Sequence, residues 1–440
     1  MTRLVIGNWA NETGPADMPP AQRRHVGSQG QRMLWLSRPG DVVVLPLAPD
    51  EDFLAYVTGK LGFSASDLTV VVPPEGKLGG DVLTGDRLMD EGFLTGLRGL
   101  LRERGIRAAE PYYLDGYVNR FVRALGLAEG TTGFAFMDQG GNELLNGKVA
   151  FRAVASGIGL PLPHGMVSGT PETVVDFVWD LLTSGRAAIV KQDVNAGGFG
   201  NEIITPDSGV EALGALHRHV FTDRGALADH VAGRWDWYTA GSGGRVVVEH
   251  YVDGALPVWG EAVVAEESVD VYGYGRIRMK PVCDGVVIPV PGSSDHAKAL
   301  PAFLRDLERL AEAMRAMGYR GVTNIDAMLT ADGRVLFNEW NGRYGGSSHL
   351  FAIGRRVVGG DFLRDRCLIE RRETAFPSFG TALRTLEEHG LAYDPETRTG
   401  VLIPVYGTGP DGLGGEAAVV GRDAGEAEEL ERAMVGLFGD

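Results

Sequence analysis

The sequence predicts a mixed α/β and α+β protein with more than one domain. Its 440 residues exceed what a single hydrophobic core usually organises. Short apolar runs of buried-strand type alternate with amphipathic helical segments near the N-terminus, and glycine-punctuated strand pairs dominate the rest. We therefore expect an N-terminal α/β domain, a second domain of two lobes and a C-terminal extension, with boundaries at 1–140, 141–242, 243–375 and 376–440.

The composition predicts a soluble globular protein. Hydrophobic residues make up 44% of the chain and charged residues 23%. The formal net charge of −16, with no basic stripe, argues against a nucleic-acid surface. Cys283 and Cys367 have neither disulfide-framework nor zinc-site spacing, which fits a reducing cytoplasm. No secretion signal and no apolar run of about 18 residues is found, so we expect a cytoplasmic protein that does not enter a membrane.

The first 140 residues show strand and helix patterns but no chemical motif. Apolar runs predict buried strands at 4–6, 42–47 and 68–72, and helical spacing of leucines predicts a helix over 86–104. The aromatic residues of the following segment have helix-like spacing, which favours a core position. Their alternative role is to shape a substrate wall; they are Tyr112, Tyr113, Tyr117 and Phe121.

The next segment predicts a phosphate-binding loop. We expect a helix within 143–163 that carries Lys148 near its start, a helix over 172–183, and a strand over 187–192 that ends in Lys191. The loop 195–200 then precedes a return strand at 202–205, and its glycines let backbone N–H groups approach phosphates closely. A flexible turn is the alternative, but the adjacent lysine favours phosphate binding; the glycines are Gly197, Gly198 and Gly200.

Two further strands offer ligand contacts. The strand over 245–252 can present a carbonyl and an N–H group to adenine at His250 and Val252, with Glu249 beside them. The strand over 274–281 alternates, with apolar residues on one face. Its other face either faces phosphates or protects an exposed sheet edge from pairing with another strand. The residues of that face are Arg276, Arg278 and Lys280.

A helix over 301–317 leads into a β-hairpin at 321–349. Its strands are predicted at 322–330 and 334–341, joined by a turn at Asp332 and Gly333. If those two residues form the loop, Ile325 faces Trp340, Leu329 faces Leu336, and Asp326 faces Glu339. The hairpin thus predicts two carboxylates directly opposite each other.

These carboxylates predict a metal site. Like charges in that position destabilise a sheet unless a cation joins them. Alternation places Glu339, Asn341 and Arg343 on one side, where oxygen ligands for Mg²⁺ and a phosphate-pairing guanidinium are wanted. A solvated hairpin face with scattered charge is the alternative. The loop that follows is our candidate for substrate contact, through Gly346, Ser347, Ser348 and His349.

In order and spacing these residues resemble the ATP-grasp superfamily over about residues 140–350. With the α/β domain ahead of it, which corresponds to a pre-ATP-grasp domain, the chain is similar to the pheganomycin-type peptide ligases. The resemblance implies that Lys148 and Lys191 hold phosphates of ATP and that the 249–252 strand reads adenine. It implies Mg²⁺ on Asp326, Glu339 and Asn341, and a ribose contact from Asp253 or Glu261.

The resemblance implies a carboxylate–amine ligase that works through an acylphosphate. Its partners would be a small-molecule acid and an amino-acid or peptide amine, and a homodimer is compatible with it. Charge stabilisation is expected from Arg343, Arg278 and Lys280, and substrate contact from Arg276 and the 346–349 loop. The alternatives are a carboxylase or kinase on the same fold, or a nucleotide-binding module without turnover.

Overall fold

The computed structural model describes residues 2–9, 18–195, 197–240, 244–289 and 294–439. These residues form a four-stranded, a five-stranded and an eight-stranded sheet. The four-stranded sheet is parallel and the eight-stranded sheet is antiparallel, so the predicted mixture of α/β and α+β architecture is confirmed. Within the described ranges, no helix has both the length and the apolar character that crossing a membrane requires.

The N-terminal domain contains the parallel sheet, in the order β3-β2-β1-β4. The predicted helix over 86–104 is two helices, because the Asp90 side chain accepts the Phe93 N–H at 2.8 Å and starts a new helix there. A 3₁₀ helix follows α1 at Gln29–Leu36. The elements are β1 (Leu4–Ile6), α1 (Pro20–Ser28), β2 (Val42–Val44), α2 (Glu51–Lys60), β3 (Thr69–Val71), α3 (Gly85–Leu88), α4 (Glu91–Glu103), β4 (Ala109–Pro111) and α5 (Gly116–Ala124).

Three helices connect this domain to the first lobe: α6 (Phe134–Phe136), α7 (Asn142–Leu144) and α8 (Lys148–Gly157). The helix predicted within 143–163 begins only at Lys148, because Gly147 is extended and Asp193 accepts the Val149 N–H at 2.8 Å. Phe151 of α8 packs against Trp340 with ring centroids 5.9 Å apart. Lys148 therefore sits on a helix that is packed against the large lobe.

The small lobe is the five-stranded sheet, in the order β5-β9-β6-β7-β8. Its helices cover the sheet with a hydrophobic cluster separate from the main core, including Val174, Val178, Leu227 and Val231. This separate core makes the lobe a distinct packing unit. The elements are β5 (Gly165–Ser168), α9 (Pro171–Thr183), β6 (Ala188–Gln192), β7 (Asn201–Thr205), β8 (His217–Val220), α10 (Arg224–Gly233), α11 (Trp235–Tyr238) and β9 (Val246–His250).

The large lobe is the eight-stranded sheet, in the order β14-β13-β10-β11-β12-β15-β17-β16. Its elements are β10 (Leu256–Val264), β11 (Val269–Met279), β12 (Cys283–Ile288), α12 (Ser294–Ala316), β13 (Gly321–Leu329), β14 (Val335–Asn341), α13 (Ser348–Ile353), α14 (Phe362–Asp365), β15 (Cys367–Thr374), α15 (Phe379–Glu388), β16 (Gly400–Tyr406), β17 (Gly415–Gly421) and α16 (Ala424–Phe438). A π-helical turn, Gly354–Val358, follows α13.

Two features of this lobe differ from the sequence prediction. Helix α12 starts at Ser294 and runs through Pro301, whereas the sequence placed its start at the proline. Strands β16 and β17 of the C-terminal extension continue the sheet through β15. The C-terminal extension therefore contributes two strands to the large-lobe sheet.

Candidate active site

A cavity of about 270 Å³ lies where the N-terminal domain and both lobes meet. The N-terminal domain contributes Trp9 and Tyr112 to its wall. The small lobe and the large lobe contribute most of the predicted site residues: Lys191, Gly197, Gly198, Glu249, His250, Val252, Asp326, Glu339, Asn341, Arg343, Gly346 and Ser347. One cavity thus brings together residues that are spread over more than 150 positions of the sequence.

The hairpin pairs Asp326 with Glu339 and Ile325 with Trp340, as predicted. The prediction that Leu329 faces Leu336 is wrong, because Leu329 pairs with Val335. Thr330 donates its N–H to Arg334 at 2.9 Å, so three residues form the loop and shift the register by one. A bulge at Asn338 restores the original register before the carboxylates.

The Asp326–Glu339 pair is costly to ionise fully. Burial, followed by the charge of Glu339, raises the pKa of Asp326 to about 8, although Arg343 and Lys148 oppose the shift. The Lys148 ammonium lies 3.4 Å from Glu339, and Asn341 accepts a hydrogen bond from Arg343 at 3.1 Å. Two carboxylates and an amide oxygen on one cavity wall are the donor set that Mg²⁺ prefers, so these residues fit that ion.

The two predicted phosphate lysines are both buried and both already bound. Lys148 donates to the Asn195 carbonyl at 2.6 Å, beside the glycine loop. Lys191 forms an ion pair with Glu249 at 2.6 Å, and Arg152 binds the other oxygen of the same carboxylate at 2.6 Å. Glu249 therefore orients Lys191 from β9, and Arg152 is a partner that the sequence did not predict.

The glycine loop requires glycine at two positions. Gly197 and Gly198 have φ of 66° and 85°, which other residues rarely adopt. A Cβ at Gly198 would lie 2.7 Å from the Gly214 carbonyl oxygen. Both glycines line the cavity, whereas Gly200 packs against the Asn195 side chain behind them. Ala196 lies outside the described residues.

The predicted adenine strand borders an apolar part of the cavity. Glu249, His250 and Val252 line it, and Ile277 and Met279 of β11 lie there too. Burial, followed by the charge of Arg186, lowers the pKa of His250 and favours a neutral ring. An apolar slot beside strand backbone can hold a flat aromatic base.

The cationic face of β11 points away from this cavity, so the predicted phosphate-facing wall is wrong. Alternation turns Ile277 and Met279 inward, and Arg276 and Arg278 line a separate groove against α16. There Arg278 forms an ion pair with Glu431 at 2.6 Å. Lys280 is exposed beyond the end of the strand.

The loop after the hairpin is only partly a cavity wall. Gly346 and Ser347 line the cavity, but Ser348 donates to Glu261 at 2.9 Å, and His349 is buried behind the loop. The predicted substrate contact from His349 is therefore wrong. Glu261 also accepts bonds from Tyr272 and Ser347, which makes it a support for this loop and no ribose ligand.

The sequence analysis missed Trp9 and Arg372 as cavity residues. Arg372 lies on β15, in a segment whose mixed charge gave no functional signal. Tyr112 was predicted mainly as a core residue, with a substrate wall as the alternative. It is buried, it lines the cavity, and its hydroxyl accepts a hydrogen bond from Arg343 at 3.4 Å. No local pattern marks these residues, because they reach the cavity only through the packing of distant elements.

Two family models match parts of the chain. Residues 30–127 match the Pre ATP-grasp domain, and residues 381–434 match the PGM1 C-terminal domain. No curated protein sequence gives a significant match.

Solved structures match almost the entire chain. The biotin carboxylase domain of Hydrogenobacter thermophilus 2-oxoglutarate carboxylase is 15% identical, with a TM-score of 0.57 over 99% of this chain and 90% of that one. Biotin carboxylase from Campylobacter jejuni is 14% identical, with a TM-score of 0.59 over 99% and 91%. N5-carboxyaminoimidazole ribonucleotide synthetase from Thermus thermophilus is 15% identical, with a TM-score of 0.57 over 100% and 99%. At these identities the likeness establishes the fold.

Proposed function

Because the chain has an ATP-grasp fold behind a pre-ATP-grasp domain, we propose that it is an ATP-dependent carboxylate–amine ligase. The acid would be a small molecule, and the amine would belong to an amino acid or peptide. The observation that carries the proposal is the Asp326–Glu339 pair, which shares one cavity with Lys191 and the glycine loop and has the Lys148 ammonium 3.4 Å from Glu339. A triphosphate with a divalent cation fits this arrangement.

ATP and Mg²⁺ are the proposed cofactor set. The Hydrogenobacter domain was solved with MgADP, ADP and bicarbonate, and the Campylobacter enzyme as a beta-gamma-ATP complex. In this chain Asp326, Glu339 and Asn341 would hold the ion. When bound, Mg²⁺ neutralises charge on the phosphate oxygens.

The remaining role of the protein is to position the nucleotide and the two substrates. Lys148, Lys191 and the N–H groups of Gly197 and Gly198 hold the phosphates, and the segment 249–252, at and beyond the end of β9, orients adenine. An oxygen of the acid attacks the γ-phosphorus while the bond to ADP breaks, and Arg343 stabilises the charge on the acylphosphate. The amine nitrogen then attacks the acyl carbon, phosphate leaves, and the amine loses a proton to solvent.

The proposal extends to the biological setting. We place the enzyme in the cytoplasm and in the biosynthesis of a peptide natural product, which the resemblance to pheganomycin-type ligases supports. A homodimer is part of the proposal, and the Hydrogenobacter domain was solved as a dimer.

A carboxylase is the second candidate function. The structural relatives named above are a biotin carboxylase domain, a biotin carboxylase and a carboxyaminoimidazole ribonucleotide synthetase. In such a reaction bicarbonate takes the place of the acid.

One assay separates these functions. ADP formation is measured with panels of acids and amines, each alone and together, and separately with bicarbonate. The ligase proposal expects ADP only when acid and amine are both present, or a single acid-dependent turnover without amine. Steady ADP release that depends on bicarbonate favours the carboxylase, release with a hydroxyl acceptor favours a kinase, and nucleotide binding without release favours a non-catalytic module.

A further inference from the structure

Two histidines and a buried glutamate meet at the β8 edge of the small-lobe sheet, in a group that we name the Glu202 cluster. It consists of Glu202 of β7, His219 of β8 and His230 of α10. His230 Nε2 lies 2.6 Å from Glu202 Oε1, and His219 Nε2 lies 3.5 Å from Glu202 Oε2. One nitrogen or oxygen atom of each residue lies within 4.8 Å of the matching atoms of the other two. Potential metal ligands from three different elements therefore surround one point.

The register of the sheet brings these side chains to one face. Strands β7 and β8 are parallel, and Ile204 pairs with His219, so alternation places Glu202, Ile204 and His219 on the same side. Ile204 packs in the hydrophobic cluster that includes Leu227 of α10. Helix α10 thus covers this face of the sheet and brings His230 to the other two residues.

The neighbours of the cluster can hold the carboxylate in place for an ion. Glu202 is fully buried, and Tyr238 donates its hydroxyl to Glu202 Oε1. Glu202 Oε2 makes no hydrogen bond within the described part of the chain, although Arg234 Nε lies 3.0 Å from it. Groups placed in this way orient a ligating carboxylate without binding the metal themselves. The His219 side chain is 37% exposed, which gives an ion access from solvent.

We propose that the Glu202 cluster binds one divalent transition-metal ion through His219, His230 and Glu202, with Zn²⁺ as the best match. Two imidazole nitrogens and one carboxylate oxygen are ligands that zinc accepts, and they leave a fourth position for water. The positive charge of Arg234 opposes a cation, so we expect an exchangeable ion. This site differs in ligand chemistry from the all-oxygen set proposed for Mg²⁺, and it does not depend on the proposed ligase function.

An ion in the Glu202 cluster would act on the glycine loop. Glu202 lies two positions beyond Gly200, and Asn201 donates its N–H to the Gly198 carbonyl at 3.2 Å. The ion would join β7 to β8 and α10, and so restrain the strand that follows the loop. The expected consequence is a small lobe that is more stable with the ion than without it.

Calorimetric titration of Zn²⁺ into the metal-free full chain, in excess Mg²⁺, tests the proposal. Wild type should bind one Zn²⁺ that Mg²⁺ does not displace, and Co²⁺ in its place should give the intense visible absorption of a four-coordinate ion. His219→Gln and His230→Gln each remove one nitrogen ligand. Each should weaken Zn²⁺ binding at least about tenfold, since the loss of an outer-shell partner alone can cost that much, and each should lose the Co²⁺ absorption.

His389→Gln is the matched control, because it removes an exposed histidine at the end of α15 and should bind Zn²⁺ as wild type does. Urea unfolding without metal shows whether each variant folds. If His230→Gln does not fold, His219→Gln decides, because His219 lies on an edge strand with a partly exposed side chain. The proposal is overturned if wild type binds no stoichiometric Zn²⁺ in excess Mg²⁺, or if His219→Gln binds the ion as tightly as wild type.

Discussion

The large lobe holds two carboxylate pairs with different surroundings. Glu370 and Glu416 are fully buried on β15 and β17, and Arg32 and Arg372 bind them. Although burial raises it, the pKa of Glu416 stays below its ordinary value because Arg32 binds this carboxylate. Among the described residues no cation forms an ion pair with Asp326, and burial and the charge of Glu339 raise its pKa to about 8 although Arg343 and Lys148 oppose the shift.

The Glu370–Glu416 pair belongs to a structural network, whereas the Asp326–Glu339 pair belongs to a candidate ligand site. Arg32 and Arg372 bind Glu416 and Glu370, so this pair is part of the packed fold, although burial raises the pKa of Glu370. A pair in which one carboxylate is costly to ionise keeps a proton or binds a cation. The two pairs should therefore respond in opposite ways to removal of charge.

The largest effect is expected for Glu339→Gln, which removes a proposed metal ligand. Turnover should fall at least about 10³-fold, because the loss of metal neutralisation costs several kcal/mol in the transition state. The free energy of unfolding without ligands should stay equal or rise, since the repulsion with Asp326 is gone. ADP formation and urea unfolding measure the two quantities.

Asp332→Asn, at the exposed tip of the same hairpin, is the control and should keep wild-type turnover. Wild-type turnover in Glu339→Gln would contradict the metal assignment.

Arg32→Met should have the opposite effect on stability. It leaves Glu416 buried without its ion-pair partner, so we expect a loss of about 3–5 kcal/mol in the free energy of unfolding. Urea unfolding measures this loss. Arg224→Met, which removes an exposed pair with Asp176, should cost less than about 1 kcal/mol. Equal losses in both variants would mean that the buried network contributes no more than a surface ion pair.

Asp326→Asn should remove one pH-dependent contribution to the free energy of unfolding. The folded protein keeps a proton on Asp326 at pH values where the unfolded chain, with a pKa near 3.8, has lost it. The contribution of Asp326 to wild-type stability is therefore fully present at pH values below about 3.8 and is lost as pH rises toward about 8. The stability of the variant relative to wild type should increase by about 2 kcal/mol between pH 6 and 8.

Urea unfolding in EDTA at several pH values measures this difference. For Asp332→Asn, the difference in the free energy of unfolding from wild type should not grow with pH, because a hydrogen bond from Thr330 lowers the pKa of Asp332. A flat difference for Asp326→Asn as well would show that Asp326 is not perturbed.

The sequence predicted the parts of the site that depend on short-range pattern. The Asp326–Glu339 pairing was predicted by assuming a two-residue hairpin loop, and it is confirmed. The loop has three residues instead, and no sequence pattern predicted the bulge at Asn338 that compensates for the extra residue. Trp9 and Arg372 were missed, since long-range packing alone brings them to the cavity. Alternation gave the two faces of β11 correctly, yet alternation carries no information about which face meets the cavity.

Arg278→Gln tests that last point and should have the smallest effect. Arg278 lies on the face of β11 that packs against α16, so the variant should lose only its partly exposed ion pair with Glu431, about 1 kcal/mol or less. ADP formation should stay within about twofold of wild type, because no contact in the cavity changes. The matched change on the other face, Met279→Gln, places an amide in the apolar slot and should weaken nucleotide binding. A large loss of turnover in Arg278→Gln with normal stability would contradict this placement. It would mean that the cationic face of β11 contacts the reactants after all.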